Sequence, residues 1–281
     1  MGNICRAAKK KTSSTPDPNS FEARYSLVDH LGEGGFGEVY TCTDLVTGTT
    51  AAAKFVSNSN ISEWARSDVE RVPMEVKCLI SCSHPNIISL LDYFVFNRHS
   101  VVVMEKPSSS VDLFNYTTYL GGISEQEARY LFSQLITALH YLMYNVRILH
   151  RDIKPENVLV DVRTRQLRII DFGAATWYRP GTYTSFTGTR LYAPPEVILD
   201  GRYTGEALTV WSFGATLYFS LFSRHPFPTE PAILDGRILL PSPCYLSSSC
   251  LRMLELCLHP DPAYRSTVDF LMRERWLNER T

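Results

Sequence analysis

The periodicity of the apolar residues changes once along this 281-residue chain, near Met104, and that change limits the architectures open to it. From Tyr25 to about Met104, short β-branched or aromatic runs alternate with turns. Glu38–Thr43 alternates, Val46-Thr47-Gly48 supplies a turn and Thr49–Val56 runs back. The pattern predicts a helix around Ser67–Ile80 and strands over Ile87–Phe96 and Ser100–Met104. Beyond Met104 the spacing becomes helical. Ser124-Glu125-Gln126-Glu127 has the form of a capping box. Behind it Leu131, Leu135, Leu139 and Leu142 recur at helical spacing, with Phe132, Ile136 and Met143 widening the stripe. Further helices fit Glu206–Phe222, Leu251–Cys257 and Thr267–Glu274. The expected class is α+β with two lobes: a β-rich one over residues 25–104, a linker over 105–110 and a helical one over 111–278.

Composition narrows the partners. With 44% apolar and 20% charged residues the chain has the means to build a globular core. Lys+Arg (28) and Asp+Glu (29) leave a net charge of −1, so no basic field argues for nucleic acid. The 7 cysteines are odd in number and form no C-x-x-C pair, which fits free thiols in a reducing compartment, cytoplasmic and/or nuclear. Residues 1–20 lack the apolar stretch of a secretory signal. Leu208–Phe222 is short for a membrane span and carries Thr209, Ser212, Thr216 and Ser220, so a buried helix is expected instead of a transmembrane one. Residues 1–24, basic and then Ser/Thr/Pro-rich, are expected to be a disordered leader. Gly2 and Cys5 hint at N-terminal acylation, although Arg6 stands where the myristoylation pattern wants Ser or Thr.

Chemistry is concentrated in four places. Gly32-Glu33-Gly34-Gly35-Phe36-Gly37 is a G-x-G-x-x-G, which alone is as compatible with a tight hairpin as with a nucleotide. A dinucleotide fold needs a helix directly after the glycines. Glu38–Thr43 is poor helix and good strand, which favours a hairpin lid closing its backbone N–H groups over phosphates. Lys54 follows Ala51-Ala52-Ala53 on the return strand, and a compact ammonium there suits α/β-phosphates. It needs a carboxylate to hold it, for which Glu75 and Glu70 are both open. His150-Arg151-Asp152-Ile153-Lys154-Pro155-Glu156-Asn157 is the strongest signal, matching H-R-D-L-x-x-x-N in order and spacing. Within it Asp152 can accept a hydroxyl proton, Lys154 can neutralise a transferring phosphoryl group and Asn157 offers a hard oxygen for Mg²⁺. Asp171-Phe172-Gly173 ends a short strand, and Ala193-Pro194-Pro195-Glu196 closes the segment after it.

In that order these motifs resemble a eukaryotic protein kinase domain, from about Tyr25 to Leu277. Lys154, and Gly188-Thr189-Arg190 before Ala-Pro-Pro-Glu, resemble the Ser/Thr type. Arg71–Val76, Leu90–Phe94, Val111–Phe114, Met104-Glu105-Lys106-Pro107 and Tyr192–Glu196 are similar to the PIM serine/threonine kinases. The resemblance implies a two-lobed kinase fold, with a small antiparallel sheet and one main helix in the first lobe. It implies a monomer that uses ATP and Mg²⁺ and acts on Ser/Thr of protein substrates near basic residues. ATP would be held by Leu31, Gly32, Glu33, Gly34, Gly35, Phe36, Gly37, Glu38, Val39, Ala52, Lys54 and Glu105. Asp152, Lys154, Lys54 and Glu75 would be catalytic, the spacing to His84-Pro85 favouring Glu75 over Glu70, and Asn157 and Asp171 would hold the metal. Asp112, Glu156 and Thr189 would meet substrate, with Glu230 or Asp235 as further acids. Arg265 is expected to bridge to Glu196. All four catalytic and metal positions expected to converge, Lys54, Asp152, Asn157 and Asp171, are retained; a kinase-fold scaffold without activity should have lost one of them.

Departures from the PIM pattern carry their own expectations. Pro107 has no N–H, so adenine loses one hydrogen bond of the linker. Pro155 and Asn115 replace acids, which weakens the implied basic preference. Thr209 stands two residues before Trp211, where most kinases have Asp. Thr184-Ser185-Phe186-Thr187 replaces an acidic stretch, so Ser185 or Thr187 is expected to need phosphorylation to give Arg151 a partner.

Overall fold

In the computed structural model, residues 20–34, 37–67 and 70–279 are described. The expected leader up to Asn19, together with Gly35, Phe36 and the acylation signals Gly2 and Cys5, lies outside them. In chain order the β-rich third runs α1 (Phe21–Arg24), β1 (Tyr25–Gly34), β2 (Gly37–Asp44), β3 (Thr50–Ser57), β4 (Trp64–Arg66), β5 (Arg71–Pro73), α2 (Met74–Ser81), β6 (Leu90–Val95) and β7 (His99–Glu105). The helical remainder runs β8 (Ser110–Asp112), α3 (Leu113–Leu120), α4 (Glu125–His140), β9 (Ile148–Leu149), β10 (Val158–Asp161), β11 (Leu167–Ile169), β12 (Thr176–Trp177), β13 (Thr182–Tyr183), α5 (Pro195–Asp200), β14 (Tyr203–Thr204), α6 (Gly205–Phe222), α7 (Glu230–Asp235), α8 (Ser248–Cys257), α9 (Val268–Arg273) and α10 (Arg275–Asn278). The chain forms two compact units: residues up to Asn58 with Asp92–Lys106, and Ser59–Leu91 with Pro107 onward.

The first unit is an antiparallel sheet in the order β1-β2-β3-β7-β6. Its β2–β3 turn is fixed by Asp44, whose Oδ1 accepts hydrogen bonds from the N–H of Val46 (2.8 Å) and Thr47 (3.2 Å). One face packs Cys42, Ala51, Ala53, Val101 and Val103 against Phe21 and Tyr25, which stack at 5.4 Å. Residues 21–24, expected to belong to the leader, instead form α1, because Phe21, 2% exposed, has an apolar cluster to enter.

In the second unit, the helix expected over Ser67–Ile80 starts only at Met74. Pro73 is its N-cap, and a proline holds the residue before it extended, so the segment upstream becomes the β4–β5 hairpin. Arg71 lies over the Trp64 ring at 4.9 Å and braces that hairpin. The strand expected over Ile87–Phe96 likewise shortens to β6, with Ile87 making a single bridge to Ile169.

The stripe on α4 is buried as its spacing requires, Leu131, Leu135, Leu139 and Leu142 all at 1% exposure or less. Its capping box is half formed. Ser124 Oγ accepts the Glu127 N–H at 3.2 Å, but the Glu127 carboxylate turns to Tyr116 and Arg165 instead of back to Ser124. Helix α6 is buried all round, and its hydroxyls are satisfied within the helix: Ser212, Thr216 and Ser220 donate to carbonyls one turn back. Among the described residues no helix is long and apolar enough to cross a membrane.

Candidate active site

In the sheet unit, strand pairing decides which predicted nucleotide contacts can act together. Val39 lies opposite Lys54, Thr41 opposite Ala52, and Ala52 opposite Met104. Because side chains alternate along a strand, Val39, Ala52 and Lys54 share the face away from the Phe21 cluster. Lys54 is 5% exposed. Gly37 is required here: at φ +150° its missing Cβ would sit on the Phe55 carbonyl oxygen. Gly34 pairs with Gly37 and Gly32 with Val39, which puts the glycines at the tip of the β1–β2 hairpin. Leu31 is half exposed beside them. The carboxylate of Glu38, by contrast, accepts the Tyr40 hydroxyl at 2.7 Å on the Phe55 side. Glu33 lies directly across from Glu38, and the Glu105 side chain, opposite Ala51, also belongs to the Phe21 face. These three residues thus offer a nucleotide their backbone before their side chains. Glu75, 6% exposed on α2, belongs to the other unit.

The second unit assembles the remaining residues around one carboxylate. Asp152 is 3% exposed, and both its oxygens are occupied. Oδ1 accepts the Thr189 N–H at 2.7 Å. Oδ2 accepts the Asn157 amide at 3.0 Å and faces Lys154 Nζ at 3.3 Å. Lys154 also donates to Thr189 Oγ at 2.8 Å, closing a ring of Asp152, Lys154 and Thr189 through the Thr189 N–H, from which Asn157 branches. A buried carboxylate needs such donors, since an unpaired one would be costly. His150 fixes the loop from inside. Its Nδ1 accepts the Asp152 N–H at 3.3 Å, which leaves Nε2–H to donate to the Ile170 carbonyl at 3.0 Å, and Phe172 meets its ring edge-on at 4.8 Å.

The metal reading is tested by the donor set. The Asn157 amide nitrogen is taken by Asp152, so its hard carbonyl oxygen is the atom left to ligate. The Ile170 N–H donates to the backbone carbonyl of Asn157 at 2.9 Å, which brings Asp171 beside Asn157 at the end of the β10–β11 pair. Asp171 has a φ of 60°, and its Oδ1 accepts the Gly173 N–H at 3.1 Å. No cluster of three or more His, Cys, Asp or Glu occurs among the described residues. Two hard protein oxygens fit a divalent cation that does not depend on a full protein cage.

The substrate-side acids divide. Glu156 is exposed and without an ion pair among the described residues. Asp112 caps α3, accepting the Asn115 N–H at 2.8 Å and its side-chain amide at 2.6 Å. Asp235 lies 3.5 Å from Arg237, and Glu230 is engaged by Arg190. The Arg265–Glu196 bridge is present, at 2.7 and 3.0 Å, with the Arg265 side chain fully buried and its other donors on the Ala207, His259 and Pro260 carbonyls. Thr209 spends its hydroxyl on the Gly205 carbonyl at 2.8 Å.

Sequence reasoning missed a cavity of about 340 Å³ beside Thr184–Thr187, lined by Arg151, Arg179, Glu63, Thr184, Ser185 and Thr187. Arg151 donates to the carbonyls of Ala174 (2.6 Å) and Ser185 (3.3 Å). Neither guanidinium has a carboxylate within salt-bridge distance among the described residues, and the Thr187 hydroxyl is buried without a partner. Gly188 lets the segment pass, since a side chain there would collide with the Arg151 carbonyl. Arg179 belongs to no motif, and only the fold brings it to Arg151.

The chain matches the protein kinase domain family over residues 25–277, and it belongs to that family. It is 39% identical over 266 residues to the serine/threonine-protein kinase prk-2 of Caenorhabditis elegans, covering 94% of this chain and 60% of that protein. To the serine/threonine-protein kinase pim-2 of Danio rerio it is 34% identical over 273 residues, 92% of this chain and 86% of that one. A PAS domain-containing serine/threonine-protein kinase of Mus musculus is 32% identical over 263 residues, which is 19% of its length. The domain is thus of the serine/threonine kinase type, a family that uses ATP and typically a divalent metal ion.

Proposed function

We propose that the chain is an active kinase that transfers the γ-phosphoryl group of ATP to Ser/Thr of protein substrates, favouring basic residues upstream. The network of Lys154, Asn157 and Thr189 around Asp152 carries the reading. In the step proposed, the substrate hydroxyl oxygen bonds to the γ-phosphorus, the bond to the leaving ADP oxygen breaks, and the hydroxyl proton passes to Asp152. Lys154 offsets the charge that develops on the phosphoryl oxygens. Mg²⁺ held by Asn157 and Asp171 neutralises the phosphates when bound. Lys54, for which Glu75 is the carboxylate proposed, and the backbone around Gly32, Gly34 and Gly37 would hold the phosphates, with Leu31, Val39 and Ala52 against adenine. Pro107 leaves adenine the Glu105 carbonyl alone.

Glu156 is the acid best placed to meet a substrate arginine, with Asp112 partly satisfied by Asn115. Phosphate on Ser185 or Thr187 would meet Arg151 and Arg179 in the cavity beside them. The six described cysteines are all free thiols, which supports a reducing cytoplasmic and/or nuclear location, and a monomer is sufficient for the reaction. The test is transfer of labelled phosphate to an Arg-containing Ser peptide with ATP and Mg²⁺. Transfer well above an Asp152→Asn control is expected; equal transfer would favour the inactive scaffold.

A further inference from the structure

The turn after Thr189 holds a contact that phosphoryl transfer does not use. Arg190 grips Glu230 with two hydrogen bonds, Nε to Oε1 and, at 3.1 Å, Nη2 to Oε2. Both side chains are open to solvent, 58% and 42% exposed. The pair lies one residue from Thr189, whose N–H is bonded to Asp152. The charge of Glu156 is felt at the same turn. Burial, then the charges of Glu156 and Asp152, push the Tyr192 hydroxyl well above its usual pKa, and Tyr192 meets His225 edge-on at 5.5 Å. Two acids therefore flank one turn beside the proton acceptor. Glu156 is open, and Glu230 is already filled by a guanidinium from its own chain.

That internal contact has the geometry a substrate arginine would use, a planar fork on both oxygens of one carboxylate. Exposed ion pairs are weak, so one guanidinium can replace another at little cost. We propose that Arg190 is a specificity-determining residue: it competes in cis for Glu230 and masks that acid from basic substrate side chains, leaving Glu156 to set the preference. This rests on the reading of the chain as a kinase that favours basic residues.

The test uses Ser peptides carrying Arg or Ala at one varied position, with kcat/KM measured for the full chain and its variants. The Arg/Ala ratio within one preparation does not depend on the folded fraction. Arg190→Gln is expected to raise that ratio about 5-fold at one position. The gain should vanish in Arg190→Gln/Glu230→Gln and be smaller for Lys than for Arg. Ratios unchanged in Arg190→Gln, or a gain that survives removal of Glu230, would overturn the proposal. Equal losses of kcat for every peptide would do the same, marking the pair as a strut. Failure of the underlying reading looks different: the unaltered chain would then prefer Arg at no position, and Glu156→Gln would change nothing.

Discussion

Asp152 and Arg151 are adjacent in sequence and sit in opposite electrostatic conditions. Asp152 is buried and receives donors from Thr189, Asn157 and Lys154. Arg151 spends its donors on two backbone carbonyls and, with Arg179, lines a cavity without a carboxylate in salt-bridge reach among the described residues. Burial explains the difference. An unpaired carboxylate in the interior is expensive, so a fold that keeps Asp152 must supply its partners. Guanidiniums facing a solvent-lined cavity tolerate vacancy, and can wait for a phosphate. The carboxylate end of the loop is fully partnered as folded, and the guanidinium end is not paired with a carboxylate among the described residues.

Four perturbations break or sharpen this contrast. Arg265→Ala has the largest expected effect, about 3–5 kcal/mol of stability lost, because it removes a fully buried guanidinium and leaves the largely buried Glu196 carboxylate unpaired. Urea unfolding measures it, and a loss below 1 kcal/mol would show that a buried charge in this unit does not need its partner. Asp171→Asn comes next: kcat should fall about 100- to 1000-fold while the thermal midpoint holds. Steady-state kinetics and calorimetry separate the two, and an equal fall in stability would reassign Asp171 to the fold. Pro107→Ala restores a donor and should tighten ATP about 2- to 12-fold by titration. Unchanged affinity would count against the single-bond account of the linker.

The smallest effect is in pH. Burial lowers the pKa of His225, whose Nδ1 is buried without a partner, and lowers those of His84 and His99. Each is neutral in the fold and takes up a proton more readily when unfolded. Their contribution is therefore full above the usual value of 6.5 and is lost as pH falls below it. Melting temperature should decline on acidifying from pH 7, and His225→Gln should flatten the decline.

The cluster around Asp152 was legible because the His150–Asn157 motif joins a carboxylate, a cation and an amide at fixed spacing, and a short loop can hold them together. Lys54 and the hairpin were legible because strand alternation sets a face. The same alternation puts Glu38 and Tyr40 on one face of β2, but that this face is the Phe55 side was not legible, since it depends on which strand β2 meets. The late start of α2 could have been read from Pro73 alone. Arg179 and the Arg190–Glu230 pair had no local signal, because their partners lie on segments far away in the chain.

The most direct measurement compares single-turnover transfer by the unaltered chain, Asp152→Asn and Arg179→Ala, each phosphatase-treated and activation-segment-phosphorylated. The account expects Asp152→Asn to lose about 100- to 10,000-fold in both states. It expects Arg179→Ala to keep the rate of the dephosphorylated enzyme and lose only the gain from phosphate. Robust transfer by Asp152→Asn would contradict the assignment of the chemistry, and full activity of the phosphatase-treated chain would contradict the open switch.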